Sequence, residues 1–102
     1  MTPPTIHEKM TFDFTQLKKI CELAGINHKE MAALLKITRP TFYLWCRGGK
    51  PQTLATYESA LQTLRAVKRG LQHGDFPLPA DLTGDERAFE LAKRYAKNYV
   101  AE

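Results

Sequence analysis

Acidic residues are missing from the middle of this chain. Between Met31 and Tyr57 there is no Asp or Glu, while Lys36, Arg39, Arg47 and Lys50 fall in the same stretch. Cysteine is scarce as well. Cys21 and Cys46 are the only two, in stretches that read as helical and without neighbouring ligands, which argues against a disulfide or metal pair and for two reduced, mostly buried thiols. No apolar run reaches the roughly 18 residues a membrane span needs. The first residues are polar and proline-bearing rather than a charged-then-apolar leader, so no secretory signal is expected and the cytoplasm is the expected location. The three histidines, His7, His28 and His73, are scattered and lack metal-ligand spacing. Gly48-Gly49-Lys50-Pro51 lacks the first glycine, the Ser/Thr and the preceding strand of a phosphate-binding loop. No enzymatic activity, cofactor, metal or small-molecule ligand is therefore expected. No internal repeat or low-complexity tract is present.

What is present is a chain of 102 residues, the size of one domain with a terminal extension. The charge is uneven. Residues 1–74 carry 11 Lys/Arg against 5 Asp/Glu, a net +6, and residues 75–102 carry 4 against 6, a net −2. A polyanion partner suits the first part and not the acid-leaning tail.

Helical periodicity dominates the pattern. Residues 1–10 read as a loose leader, because Pro3-Pro4 disfavours a helix there. A first helix is predicted from about Thr11–Thr15 to Ala24, with Phe14, Leu17, Ile20, Cys21 and Ala24 on one face and Gly25 as its stop. Lys18 and Lys19 are its exposed bases, available for solvation or for a phosphate. A second helix is predicted over 28–35, capped by Asn27 and striped by Met31, Ala32, Leu34 and Leu35. Lys36-Ile37 is the turn. A third, over 38–47, has Thr38 as its cap and Phe42 and Trp45 as its core positions, and is stopped by Gly48-Gly49 and Pro51. A fourth begins near Gln52 or Thr53 and carries Leu54, Tyr57, Ala60, Leu61, Leu64 and Val67 as far as Lys68-Arg69-Gly70. Residues 70–85 read as a connector. A final helix over about 84–100, capped by Asp81 or Thr83, has Ala88, Leu91, Ala92, Tyr95 and Tyr99 as its stripe, flanked by Phe89, Ala96 and Val100. A stripe this wide must be buried, either on its own domain or on a second copy.

Helices of about eight residues do not hold themselves in water, so the pair over 27–47 needs the helices on either side. Met31, Ala32, Ile37, Thr38, Phe42, Trp45 and Gly48 fall in register with a known pattern. On those residues the stretch resembles the helix-turn-helix of the lambda-repressor-like family, which includes the Cro and cI repressors and the xenobiotic-response-element regulators. The departures are His28 where Gln is common, Lys36 in place of the turn glycine, Cys46 in place of Glu, and Pro51, which comes early. A non-glycine residue in the left-handed region costs about 1–2 kcal/mol, so Lys36 predicts a slightly strained or reshaped turn.

The resemblance implies an all-α, four- to five-helix domain at residues 11–70 with a C-terminal helical extension at 71–102. It implies a third helix that enters the major groove of double-stranded DNA. Arg39 is the best candidate to read a base, since a guanidinium can donate two bonds to guanine; a phosphate contact or simple solvation is its alternative. Pro40 can press on a thymine methyl, and it also moves the expected helix start one residue along, because the residue before proline avoids the helical region. Thr41 can meet a base or a phosphate. Tyr43 and Leu44 fall on the outward face, Tyr43 to bond a phosphate and Leu44 against a thymine methyl, as a plain surface residue or in a dimer contact. Phosphate contacts are implied at Asn27 and His28, where helix-start amides attract anions, and at Lys36, Thr38, Arg47 and Lys50. Relatives bind near-palindromic operators as homodimers, and the final helix with the end of the fourth is the candidate dimer surface. The expected function is a sequence-specific transcription regulator, a repressor rather than an activator because Glu30 is the sole acid of the second helix. The size and layout suit a phage or other mobile element. The alternative is an antitoxin-like or adaptor-like interaction module of the same fold with weak DNA binding.

Overall fold

The computed structural model describes residues 11–100, and the leader expected over 1–10 lies outside them. Among the described residues the chain is all-helical: a 3-10 turn at Phe14–Gln16, then α1 (Leu17–Ala24), α2 (His28–Leu35), α3 (Arg39–Cys46), α4 (Leu54–His73) and α5 (Gly84–Asn98), with no strand. None of these helices is long and apolar enough to cross a membrane.

The first helix starts later than its periodicity suggests. Asp13 accepts the Thr15 amide and hydroxyl, and that local bonding fixes a 3-10 turn ahead of α1. The Thr15 hydroxyl and then its amide hold the Asp13 carboxyl below the usual carboxylate range. Gly25 ends α1 at φ 66°, and a side chain there would press on the backbone of Leu78, whose amide donates to Ala24 O at 3.1 Å. The glycine therefore serves both the left-handed turn and a close approach of the connector.

Phe14, Leu17, Met31, Phe42 and Trp45 meet in one core, closed from the other side by Tyr57, Leu64 and Val67 of α4. The Phe14 ring lies 4.9 Å from Trp45 and 5.9 Å from Tyr57, centroid to centroid. Phe76, Leu78 and Leu91, from the connector and α5, belong to the same core. The tail thus rests on the body that α1 to α4 build.

α4 runs to His73, three residues beyond the stop predicted at Gly70. Gly70 is buried inside the helix because the Phe76 ring lies where its Cβ would be. The left-handed stop falls instead at Gly74, φ 81°.

α5 packs on α4 with part of the predicted stripe, Leu91 and Tyr95, and with Asn98 outside it. Leu91 and Asn98 are buried and Tyr95 is half-buried, whereas Ala88, Phe89, Ala92 and Ala96 are exposed. Polar side chains do most of the docking. Asn98 donates to Asp75 Oδ2 at 2.9 Å and to Arg94 O at 2.8 Å, and its Oδ1 lies 2.9 Å from His73 Nδ1. Arg94 donates to Asp75 O, and Tyr95 shares a 3.0 Å hydroxyl contact with the buried Thr63. Periodicity weighs apolar residues, so it includes Leu91 and Tyr95 but adds Ala88 and Ala92, which are exposed, and leaves out Arg94 and Asn98, whose bonds turn the helix.

Candidate nucleic-acid interface

The helix pair is built by two caps and one left-handed turn. Asn27 Oδ1 accepts from the Glu30 amide at 2.7 Å while Glu30 Oε1 accepts from the Asn27 amide at 2.9 Å, a reciprocal capping box that starts α2. Lys36 ends α2 at φ 61°, ψ 41°, taking up the conformation a glycine would occupy. Thr38 starts α3: its Oγ1 accepts from the Thr41 amide at 3.3 Å and donates to Thr41 Oγ1 at 3.0 Å. Arg39 is already helical and Pro40 follows it in the first turn. The shift of the helix start expected from Pro40 does not occur, because the first-turn amides have no helical acceptor and a proline there forfeits no bond.

Phe42 and Trp45 face inward, fully and almost fully buried, and orient α3. Its other side is open. Arg39 and Arg47 are exposed at its two ends, separated by about 12 Å at 1.5 Å per residue. Leu44 is about half exposed (49%), and Gly49 is packed so closely on it that a side chain at 49 would collide. Thr41 is partly exposed, and its hydroxyl, having accepted from Thr38, keeps its own proton to donate.

Tyr43 departs from the outward position predicted for it. It is half-buried, its hydroxyl 3.2 Å from His28 Nδ1 and its ring under the Lys18 ammonium at 5.6 Å. The His28 ring also lies against Phe42, with centroids 5.2 Å apart. These contacts gather Lys18, Asn27, His28, Lys29, Arg39 and Tyr43 around one surface groove of about 640 Å³ between the ends of α1, α2 and α3. Three cations line it, with Glu22 as the acid among its lining residues. The pattern around α3 gave no sign that Lys18 and Lys29 join Arg39, since a helix's own periodicity is silent about which neighbour its polar side meets.

The remaining predicted contacts are not in that groove. Lys36 lines a smaller one of about 300 Å³ with Leu34, Ser59, Thr63, Tyr95 and Tyr99. Arg47 caps the far end of α3, and the exposed Lys50 follows it. Asn27's side-chain oxygen and amide and Thr38's hydroxyl are engaged in their caps, together with the Glu30 and Thr41 amides.

Glu30 is held from a distance. Arg87 of α5 donates from Nε to Glu30 Oε2 and from Nη2 to Glu30 Oε1, both at 2.8 Å, and from Nη2 to Gly25 O at 2.8 Å. Burial pushes the Glu30 carboxyl up, but the Arg87 bond, the Asn27 amide and the Arg87 charge outweigh it and leave the carboxyl below the usual range. The two residues are 57 apart, and nothing in the sequence pairs them.

Burial pushes the Cys21 thiol up to about 11 and raises Cys46 as well, so both stay protonated at neutral pH and neither is an activated nucleophile. Both are free. Among the described residues no group of three or more His, Cys, Asp or Glu side chains is placed to hold a metal ion. The chain matches no protein-family model, no curated protein and no solved structure.

Proposed function

We propose that this chain is a sequence-specific DNA-binding transcription regulator, a repressor, that lays α3 in the major groove and occupies a near-palindromic operator as a homodimer. The observation that carries the reading is α3 itself. It is clamped to the core by Phe42 and Trp45, and its open side bears Arg39, Thr41, Leu44 and Arg47 within a stretch free of acids. A single helix with a base at each end fits a groove about 12 Å wide.

Base reading falls to Arg39, with Pro40, Thr41 and Leu44 beside it. Tyr43, tied to His28 and Lys18, suits a phosphate better than a base edge. Lys18, Lys29 and His28 would grip the backbone on one flank, and Arg47 and Lys50 on the other. Phosphate contacts fix register and most of the affinity, and base contacts fix sequence. Glu30, engaged by Arg87, leaves α2 without an acid for a polymerase surface, which favours repression. The reading involves no catalysis, and a cytoplasmic location suits it. A second reading, an adaptor or antitoxin-like module, is favoured by one observation: the apolar outer side of α5, where Phe89 is 66% exposed.

The test compares two substitutions by titration on a selected operator and on scrambled DNA. Arg39→Ala should lose discrimination at one base position. Lys50→Ala should weaken binding to every sequence alike and lower the salt slope by about one. Equal weakening on all sequences by Arg39→Ala contradicts its reader role.

A further inference from the structure

A line of side chains on α4 leaves the core and ends in the open. Tyr57, Leu61, Leu64, Lys68 and Leu71 recur at four- and three-residue spacing, which sets them along one face of the helix. Tyr57 and Leu64 are buried in the core, while Leu61 and Leu71 are only partly covered. From α1 come Ile20, also partly covered, and Leu23, which is 51% exposed. The segment ahead of α1 adds a further wall. There the Phe12 amide donates to the Tyr57 hydroxyl at 3.0 Å, and the Phe12 ring lies 5.0 Å from that of Phe14. Between these walls α1 and α4 leave a groove of about 580 Å³, a size usual for small-molecule sites.

Its lining is apolar apart from Thr11, the Tyr57 hydroxyl and two bases, Arg65 and Lys68. Both bases are exposed, three residues apart on α4. Lys68 stands in the apolar line itself, between Leu64 and Leu71, so its stem lies along apolar surface while its ammonium keeps to water. No Asp or Glu is among the described residues that line the groove. The groove is also elongated, since the stretch of α4 from Tyr57 to Leu71 measures about 21 Å at 1.5 Å per residue. A long apolar groove with cations at its edge is complementary to a linear hydrocarbon chain with one anionic end.

We infer that this groove binds a free, single-chain fatty acid, its tail over Ile20, Leu23 and Leu61 and its carboxylate at Lys68. The tail supplies most of the affinity, because each buried methylene is worth more than a charge pair exposed to water. The cation sets the direction in which the chain lies. None of the lining residues belongs to α3, so the site does not rest on the DNA reading proposed above.

The experiment is a titration of the full chain with sodium decanoate, kept below its micelle concentration and followed by the methyl shifts of the protein in NMR. Saturable shifts are expected at Ile20, Leu23, Leu61 and Leu71, with Val100 at the end of α5 unmoved. Octanoate, two methylenes shorter, should bind about tenfold more weakly. Lys68→Gln should weaken decanoate by about threefold and leave decanol unchanged. Leu23→Glu sets a carboxylate in the lining and should weaken decanoate by about tenfold or more. Because Leu23 is half exposed, circular dichroism and melting of that variant should match those of the native chain. Shifts that never saturate, or that reach Val100 equally, would be surfactant adsorption and overturn the inference. So would a chain that takes up no decanoate, whether residues 1–10 or a second copy close the groove. A Lys68→Gln change that weakens decanoate and decanol alike, or neither, overturns the placement of the carboxylate.

Discussion

α3 and α5 are both helices with one covered and one open side, and they are opposites. α3 buries aromatics, Phe42 and Trp45, and opens a face of bases, hydroxyls and one leucine. α5 buries one leucine amid bonded polar groups and opens an apolar face with an acid end and a basic end. The contrast teaches what each open face suits. A basic face on a rigidly anchored helix suits a polyanion. The outer face of α5, with Phe89 66% exposed, is apolar where that of α3 is basic, on a helix held by hydrogen bonds rather than by aromatics.

The largest test of that contrast is at the anchors. Phe42→Ala should destabilise the fold by about 3–5 kcal/mol, read by urea unfolding, because it leaves a cavity under α3. A loss below about 1 kcal/mol would mean that α3 is not clamped by its aromatics and would erase the difference between the two helices.

Next comes the strap that joins α5 to the start of α2. Arg87→Ala should cost about 2 kcal/mol, since it removes charge-assisted bonds to a carboxylate that is largely shielded from water. The Glu30 carboxyl titrates lower folded than unfolded. The contribution is therefore present above the ordinary carboxylate range and is lost as pH falls through the folded value. Melting of the native chain and the Arg87→Ala variant should converge on acidification and diverge toward neutrality. A gap that widened in acid would contradict the pairing.

A smaller effect tests the open face of α3. Arg39→Ala should leave the melting temperature nearly unchanged and cost about 1–3 kcal/mol of discrimination at a single base position, measured by competition between operator variants. A fall in stability instead would make Arg39 part of the scaffold.

Smallest is the turn. Lys36→Gly should stabilise the fold by about 0.5–1 kcal/mol, the relief of a left-handed lysine less the added freedom of glycine in the unfolded chain. Calorimetry would show it as a raised Tm. A lowered Tm would mean that the Lys36 side chain has packing worth more than the strain.

Local chemistry made the helix pair legible in the sequence. Asn27 and Thr38 are caps whose donors, the Glu30 and Thr41 amides, lie three residues on, and Gly25 marks a stop by its own conformational freedom. Phe42 and Trp45 were readable as core because a three-residue spacing leaves one inward face. What was hidden depends on neighbours distant in the chain. Gly70 looks like a helix stop until Phe76 folds back onto it. Ala88 and Ala92 of α5 look inward with Leu91 and Tyr95 until Arg94 and Asn98 find their partner in Asp75 of the connector. The groove that joins Lys18 and Lys29 to Arg39 follows from how α1 meets α2 and α3, which no single periodicity encodes.

The central claim is that the open face of α3 reads DNA sequence. The most direct measurement is selection of bound duplexes from a random pool by the purified chain at near-physiological salt. An enriched motif of two inverted half-sites about one helical turn apart is the predicted result. General, salt-sensitive binding with no enriched motif would contradict it and would leave α5, with its apolar outer face, as the functional surface of the molecule.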